Sequence, residues 1–254
     1  MIKLKALTQY LDGLLELNKI PDDSSNNGLQ IEGTQKINNV IFGVDACLAI
    51  AEIAAEKKAD FIFVHHGLSW KEGFKYLTGN SARTFSTLFK NSISLYGAHL
   101  PLDAHPELGH NAQIAKSIIL QDCKPFAKYA NVDIGIKGKL KKTTTLANLA
   151  KDIDQKLETN SVIYGDKDSS ISKIGIISGG PGSLGIEAAV ESELDCLITG
   201  EVYHGIWHLI QETGINVIAA GHYRTEKPGI LAVMQLVQKK FKLDCEFIEL
   251  PTGL

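Results

Sequence analysis

Two adjacent histidines end one of the most hydrophobic runs of this chain. The run 61–64 is apolar and partly β-branched, His65 and His66 follow it directly, and Gly67 then permits a turn. A short apolar run of this kind is typical of a buried strand, and open α/β sheets bind ligands beyond the carboxyl ends of their strands. A single histidine there is often only a hydrogen-bonded core residue, whereas two side by side favour a metal site.

Further imidazoles and carboxylates follow other predicted strands. Asp103 lies in a loop after an apolar run, with His99 and His105 close by. His222 and Glu226 follow another such run and are four residues apart, a spacing at which two side chains can face one point. We therefore expect these side chains to gather at the same kind of strand end as the two adjacent histidines.

The segment after His222 also carries a helix-start signal. Thr225 is expected to be the N-cap of the next helix, which places Glu226 in its first turn. Pro228 is tolerated at that position because the first turn of a helix does not need its N–H.

Three histidines and two carboxylates suit a pair of divalent ions. Imidazole favours Zn, Fe, Ni or Cu and carboxylate favours harder ions such as Mn or Mg, so the metals are expected to be Zn, Fe, Mn or Ni. Two metals about 3.5–4 Å apart can clamp the attacking and leaving oxygens and supply hydroxide near neutral pH. The sequence predicts two divalent metal ions per chain, with these five ligands: His65, His66, Asp103, His222 and Glu226.

Glu201 and His208 are candidate catalytic residues. His204 and His208 are four residues apart on or before a predicted helix, and Glu201 precedes them. These groups could move protons or orient ligand histidines. The alternative is an ordinary polar helix face.

The remaining polar features favour ordinary interpretations. The glycine-rich segment 179–185 could cradle a phosphate, but it lacks the GK[ST] ending and the GxGxxG spacing, which favours a plain loop. Lys71, Arg83 and Lys227 could meet a triphosphate, but lone surface cations are usually solvated.

Composition and charge limit the class of protein. The chain has 254 residues, of which 44% are hydrophobic and 22% charged, and its net charge is −3. These values are ordinary for a globular protein with a sizeable core, and they disfavour long nucleic acid as a partner because that needs a basic face. No run approaches the roughly 18 apolar residues of a membrane span.

The cysteines and the first residues indicate a cytoplasmic protein. The four cysteines lie far apart and contain no CxxC pair, so they are expected to be reduced: Cys47, Cys123, Cys196 and Cys245. Leucines at helical spacing among charges in residues 1–20 predict an amphipathic helix, not a signal peptide.

Alternating strand and helix patterns predict an α/β fold. We expect two similar α/β lobes with mixed, largely parallel sheets, and a metal site at strand carboxyl ends between the lobes. The first lobe is predicted to comprise residues 1–124 and 221–254, and the second 125–220. Within the second, 128–140 is expected to form a hairpin and 143–145 to cap a helix.

The sequence resembles the NIF-three-like dinuclear-metal family, whose members are often named GTP cyclohydrolase 1 type 2 or its homologues. The resemblance covers nearly the whole chain and is specific only when its motifs are taken together. They are Asn27-Gly28-Leu29-Gln30 with Glu32-Gly33, Val44-Asp45, His65-His66-Gly67, Ala98-His99 through Asp103, Gly109-His110-Asn111, Thr199-Gly200-Glu201, and Gly221-His222 through Thr225-Glu226.

The resemblance implies a specific arrangement of metals. His66 and Asp103 would hold one ion, His65 and His222 the other, and Glu226 would bridge them. It also implies a toroidal homohexamer whose metal sites face an inner cavity. Arg224 departs from the small residue expected there, so contacts with the substrate differ at this position while the ligands do not.

The function implied is a metal-dependent hydrolase with a small-molecule substrate such as a nucleotide. In the GTP cyclohydrolase reaction, GTP and water give formate and 7,8-dihydroneopterin triphosphate. One alternative is hydrolysis of another phosphoester or small electrophile at the same metals. The other is a non-catalytic metal-binding ring that binds a protein partner.

Overall fold

A computed structural model describes residues 1–74, 76–129 and 131–254. The chain divides into two compact units, Met1–Leu102 with Ile230–Leu250, and Asp103–Gly229 with Pro251–Leu254. Each unit contains a sheet that includes parallel strands, so the predicted α/β class is confirmed. No helix in the described ranges is both long and apolar enough to span a bilayer.

The first unit is built on a five-stranded sheet. Its elements in chain order are β1 (Ile2–Lys3), α1 (Leu4–Leu15), a 3-10 turn (Leu17–Lys19), β2 (Gly28–Ile31), β3 (Lys36–Ile37), β4 (Asn39–Asp45), α2 (Leu48–Glu56), β5 (Phe61–His66), α3 (Gly79–Lys90), β6 (Ser94–Gly97) and α4 (Leu100–Asp103), which runs to the boundary. The strand order is β13-β4-β5-β6-β2, where β13 is Asp244–Phe247 near the end of the chain. Only β2 is antiparallel to its neighbour.

Local sequence patterns explain these elements. The leucines of α1 recur every three or four residues and are buried, which confirms the predicted amphipathic helix. The helix ends at Leu15, earlier than expected, because Glu16 takes a left-handed conformation with φ 48°. In β5, Phe61–Val64 are fully buried, as a strand covered on both faces requires.

The second unit is built on a six-stranded sheet. Its elements are α5 (His110–Ser117), β7 (Gln121–Tyr129), β8 (Val132–Thr145), α6 (Leu146–Leu157), β9 (Val162–Tyr164), β10 (Ser170–Ile177), α7 (Gly182–Glu191), β11 (Cys196–Thr199), a 3-10 turn (His204–Ile206), α8 (Trp207–Thr213), β12 (Asn216–Ala219) and α9 (His222–Thr225). The long helix α10 (Lys227–Phe241) begins in this unit and continues into the first.

The second sheet is less parallel than predicted. Its strand order is β7-β8-β10-β11-β12-β9, and only β10, β11 and β12 run parallel to one another. The hairpin β7–β8 and the short strand β9 add antiparallel neighbours on both sides. The predicted hairpin is present but longer than expected, and Thr145 caps α6 by accepting a hydrogen bond from the Asn148 N–H at 3.2 Å, as predicted.

The unit boundaries differ from the sequence division at 124 and 221. Ile114 and Ala115 of α5, with Ile118 just after it, pack in one buried cluster with Leu149 and Ile153 of α6. This apolar packing draws residues 103–124 into the second unit, because burial of an apolar helix face decides which sheet a helix joins. The return to the first unit comes at Ile230, within α10.

Candidate metal centre

Three imidazoles meet at one edge of the first sheet. The parallel strands β4 and β5 end together, with Asp45 paired to His66, and the chain leaves β6 at Ala98 and His99. His65, His66 and His99 each offer a ring nitrogen within 4.8 Å of the other two. His99 is absent from the predicted ligand set, and the structure brings it beside the two adjacent histidines within this unit.

The two adjacent histidines are each held by one ring nitrogen. The Nδ1 of His65 lies 2.8 Å from the carbonyl oxygen of Ala98, and the Nδ1 of His66 lies 2.8 Å from Oδ1 of Asp45. A carbonyl and an ionised carboxylate can only accept, so Nδ1 carries the proton and the lone pair is on Nε2. This is the tautomer and the anchoring that metal-binding histidines adopt in proteins.

His99 is anchored in the same way by a buried carboxylate. Its Nδ1 lies 2.8 Å from Oδ1 of Asp23, and its backbone N–H donates to Oδ1 of Asn27 at 2.7 Å. Burial raises the pKa of Asp23, but hydrogen bonds from His99, Asn27 and the Ser25 backbone outweigh it and hold the pKa below its ordinary value. The sequence marked Asn27 without a role and missed Asp23 as the partner of this imidazole.

In the second unit, His222 and Glu226 form a close pair. Nε2 of His222 lies 3.1 Å from Oε1 of Glu226, and Nδ1 lies 3.4 Å from Oε1 of Glu201. Burial lowers the pKa of His222, but the hydrogen bond and charge of Glu226, followed by Glu201, raise it to about 9. His222 and Glu226 therefore face one point, as predicted, and Glu201 contacts the other ring nitrogen of His222.

The predicted helix start at Thr225 is wrong. Thr225 is the last residue of the short helix α9, and its hydroxyl donates to the carbonyl oxygens of Gly221 and His222 instead of capping α10. The same oxygen accepts the N–H of Gly179 at 3.1 Å. The sequence signal failed because the hydroxyl is used by the preceding turn and by a distant loop.

Asp103 is buried and held by Ser178, which directly follows β10, and by Asn111 of α5. Its Oδ1 accepts a hydrogen bond from the Ser178 hydroxyl at 2.7 Å. Asn111 fixes the same loop, because its Oδ1 accepts the Ser178 N–H at 2.7 Å. Asp103 and His110 also offer possible ligand atoms within 4.8 Å of each other.

His110 is poorly prepared to bind a metal, because each of its ring nitrogens is already committed. Its Nδ1 accepts the backbone N–H of Gly229 at 3.1 Å, so the ring proton is on Nε2, which then acts as a donor. The ring is fully buried. His110, Asn111 and Ser178 were not assigned roles by sequence reasoning. The motif Gly109-His110-Asn111 was the one available signal for the first two.

The glycine-rich segment is a loop, as the sequence favours, but it has a specific steric role. Gly179 has φ +66°, and a Cβ there would lie 2.2 Å from Oε1 of Glu226 and 3.2 Å from Nε2 of His222. A Cβ on Gly180 would lie 2.7 Å from Oε1 of Glu201. The two glycines let the backbone approach the carboxylates of Glu226 and Glu201 closely. Sequence motifs for phosphate-binding loops do not detect this role.

The other candidates lie in more ordinary surroundings. His208 is exposed in α8, with its ring edge against Trp207 at a centroid distance of 4.9 Å. Nδ1 of His105 accepts the N–H groups of Glu107 and Leu108, which is typical of a turn. Among the predicted phosphate contacts, Lys71 and Arg83 are exposed and Lys227 is half-buried.

A cavity of about 400 Å³ in the second unit is lined in part by Glu201, whose carboxylate lies 3.4 Å from Nδ1 of His222. Glu201 and Gly221 form part of its wall, and Arg224, Thr159 and Tyr164 lie further along it. Arg224 is 3.6 Å from the exposed carboxylate of Glu158. The cavity has the size of a small-ligand site, and it places one cation among polar side chains.

The donor chemistry fits divalent metal ions. The first unit supplies the anchored imidazoles of His65, His66 and His99. The second unit supplies the imidazole of His222 and the hydrogen-bonded carboxylates of Glu226 and Asp103. Mixed nitrogen and oxygen donors suit Zn, Fe, Mn or Ni. These buried groups can hold a metal, and the geometry does not select its identity or number.

Comparisons with known proteins agree with these observations. A family model described as Duf34/NIF3 (NGG1p interacting factor 3) matches residues 2–252. Proteins named GTP cyclohydrolase 1 type 2 homolog are 39% identical over 249 residues in Pyrococcus abyssi, covering 98% of both chains, and 37% identical over 254 residues in Archaeoglobus fulgidus, covering 100% of both. A solved structure described as protein ybgI, unknown function, covers 100% of both chains with TM-score 0.92 and 33% identity. The chain belongs to the Duf34/NIF3 family.

Proposed function

We propose that this chain is a divalent-metal-dependent hydrolase that holds two ions through His65, His66, Asp103, His222 and Glu226. The observation that carries the proposal is the anchoring of Nδ1 of His65 and His66 by acceptors at 2.8 Å. Fixing a side chain in this way costs conformational entropy, and histidines that bind a metal through Nε2 usually have Nδ1 anchored by such an acceptor. The Ser178 hydroxyl prepares Asp103 in the same way.

Bound divalent ions would act as Lewis acids and lower the pKa of water, which is the chemistry a hydrolase needs near neutral pH. The role proposed for Glu201 is to accept and return a proton. Its carboxylate is 40% exposed and borders both His222 and the cavity of about 400 Å³, so it can reach water and substrate. His208 is proposed as a further proton carrier.

The substrate proposed for the first test is GTP. The support is the name of the relatives, GTP cyclohydrolase 1 type 2 homolog, together with the cavity beside Glu201. Arg224 on its wall is a suitable partner for a phosphate, because a guanidinium binds phosphate oxygens in a bidentate manner. The products would be formate and 7,8-dihydroneopterin triphosphate.

The metal proposal is tested by elemental mass spectrometry on protein purified without a histidine tag. We expect about two metals per chain in the wild type and a marked loss in Glu226→Gln. Glu212→Gln, an exposed carboxylate of α8, is the matched control and should retain the metals. A wild type that neither contains nor takes up divalent metal overturns the proposal.

The reaction is tested on the metal-loaded protein by formate release from GTP and by a panel of model phosphodiesters. Formate release that disappears in Glu226→Gln supports the cyclohydrolase reaction. Turnover of phosphodiesters without formate release favours hydrolysis of another phosphoester at the same metals. Inactivity toward both, with metals retained, favours a metal-binding ring that acts through a protein partner.

Assembly as a homohexamer is also part of the proposal, and it rests on the family resemblance. Light scattering coupled to size exclusion should give a mass near six times the 27.6 kDa of the chain. A monomer at micromolar concentration contradicts the ring.

A further inference from the structure

Three neighbouring strands of the second sheet place lysines directly opposite one another. On the β7–β8 pair, Lys124 faces Lys137. On the β8–β10 pair, Lys139 faces Lys173. Directly opposite residues project from the same face of a sheet, and like charges in that position are destabilising. The arrangement repeats on both sides of β8, so a single chance pairing does not explain it.

These side chains line an open surface cavity of about 420 Å³, where Lys137 is half-buried and the other three lysines are exposed. Among the described residues, its lining includes four lysines, one hydroxyl, one carboxylate and one thiol: Lys124, Lys137, Lys139, Lys173, Ser192, Asp122 and Cys123. Lys137 is the most fixed of the lysines, because its Nζ donates to the Ser192 hydroxyl at 2.9 Å and lies 5.9 Å from the centre of the Phe126 ring. The cavity is therefore cationic on a chain whose net charge is −3.

The cationic cavity is separate from the proposed metal ligands. Lys173 lies in the first half of β10, whereas Ser178, which holds Asp103, follows the end of that strand. At about 3.3 Å per residue along a strand, the two positions are about 16 Å apart. A ligand at the lysines would not occupy the Asp103 site.

We propose that this cavity binds a compact polyanion made of linked phosphate groups. Lysine ammonium groups bind phosphate as mobile point charges, and several of them around one pocket suit several anionic groups held close together. A volume of about 420 Å³ admits a short oligophosphate. The bound anion would relieve the repulsion between the opposed lysines, so binding and stability are coupled.

Tripolyphosphate is the probe, and Lys139→Gln is the test variant with Lys141→Gln as its matched control. Lys141 is an exposed lysine of the same strand that is not among the described residues lining the cavity. Calorimetry on the full-length protein measures binding, and thermal unfolding measures stability with and without the probe. Chelation of metal by tripolyphosphate affects both variants equally, so the difference between them isolates the cavity.

We expect two effects of opposite sign in Lys139→Gln. Without ligand, its Tm rises by about 1–3 °C because one repulsive pair is removed. Its affinity for tripolyphosphate falls about threefold to fivefold, and adding Lys173→Gln weakens binding by at least tenfold in total. Lys141→Gln should match the wild type in both measurements.

The source of the phosphate groups is separated by comparing tripolyphosphate with ATP and GTP at one salt concentration. Equal affinities indicate recognition of phosphates alone. Tighter nucleotide binding indicates that a base is also held in this cavity when Lys139→Gln weakens it, because binding of GTP beside Glu201 does not involve Lys139. The proposal is overturned if Lys141→Gln weakens binding as much as Lys139→Gln does. It is also overturned if only an oligonucleotide binds, which would indicate a diffuse basic surface.

Discussion

Substitution of Gly179 by alanine should weaken binding at the proposed metal centre while leaving the fold in place. The added Cβ would lie 2.2 Å from Oε1 of Glu226, and the loop cannot retreat easily. The carbonyl oxygen of Gly179 accepts the N–H groups of Gly200 and Glu201 at 2.9 and 3.1 Å, and its own N–H donates to the Thr225 hydroxyl. The Glu226 side chain must therefore rotate away.

The two consequences of Gly179→Ala have different magnitudes. Alanine at φ +66° costs about 1–2 kcal/mol of the free energy of unfolding, because its Cβ crowds the following carbonyl oxygen in the left-handed region. Displacement of a ligand carboxylate should weaken metal binding at least as much as the roughly 10–100-fold seen when an outer-shell partner is lost. The variant keeps every ligand atom, so any loss of metal is purely steric.

Gly214→Ala is the matched control. Gly214 has φ +70°, and a Cβ there would have nothing within 4 Å. Urea unfolding of the metal-free proteins should show similar destabilisation in the two variants, while competition with a chelating dye should show weakened metal binding only in Gly179→Ala. Wild-type metal affinity in Gly179→Ala would refute the assignment of Glu226 as a ligand.

Three further predictions address positioning, protonation and the fold. Asp45→Ala should weaken metal binding about 10–100-fold through the loss of the anchor on His66, with Asp45→Asn intermediate, as measured by chelator competition. In metal-free protein, NMR titration should show His222 with a pKa of about 9 that falls in Glu226→Gln. Because the pKa of His222 is raised in the folded state, its pairing with Glu226 stabilises the metal-free protein fully below about pH 6.5. This stabilisation is lost as the pH rises through about 9. A free energy of unfolding that stays constant between these pH values would contradict the raised pKa. Thr145→Ala should lower the free energy of unfolding by about 0.5–2 kcal/mol in urea titrations without changing metal content, and an unchanged stability would show that the hydroxyl does not cap α6.

Parts of the candidate site could be predicted from local sequence because their signals are short-range. The apolar run before His65 identified a buried strand and the end at which imidazoles gather. The four-residue spacing of His222 and Glu226 identified a facing pair. The position of Thr225 could not be predicted in this way. Its hydroxyl donates to a carbonyl oxygen of the preceding turn and accepts an N–H from a loop 46 residues earlier. A capping rule based on neighbouring residues cannot predict these alternative hydrogen bonds.

The sequence by itself determined the element types, the family and the histidines and carboxylates that suit a metal. Hydrophobic periodicity and capping act over a few residues, so they can be read along the chain. Only the tertiary structure decided what anchors the side chains of the candidate metal centre: Asp45 is 21 residues from His66, Asp23 is 76 from His99, and Ser178 is 75 from Asp103. It also decided the opposed lysines of β7, β8 and β10, because strand order and register depend on contacts between distant segments.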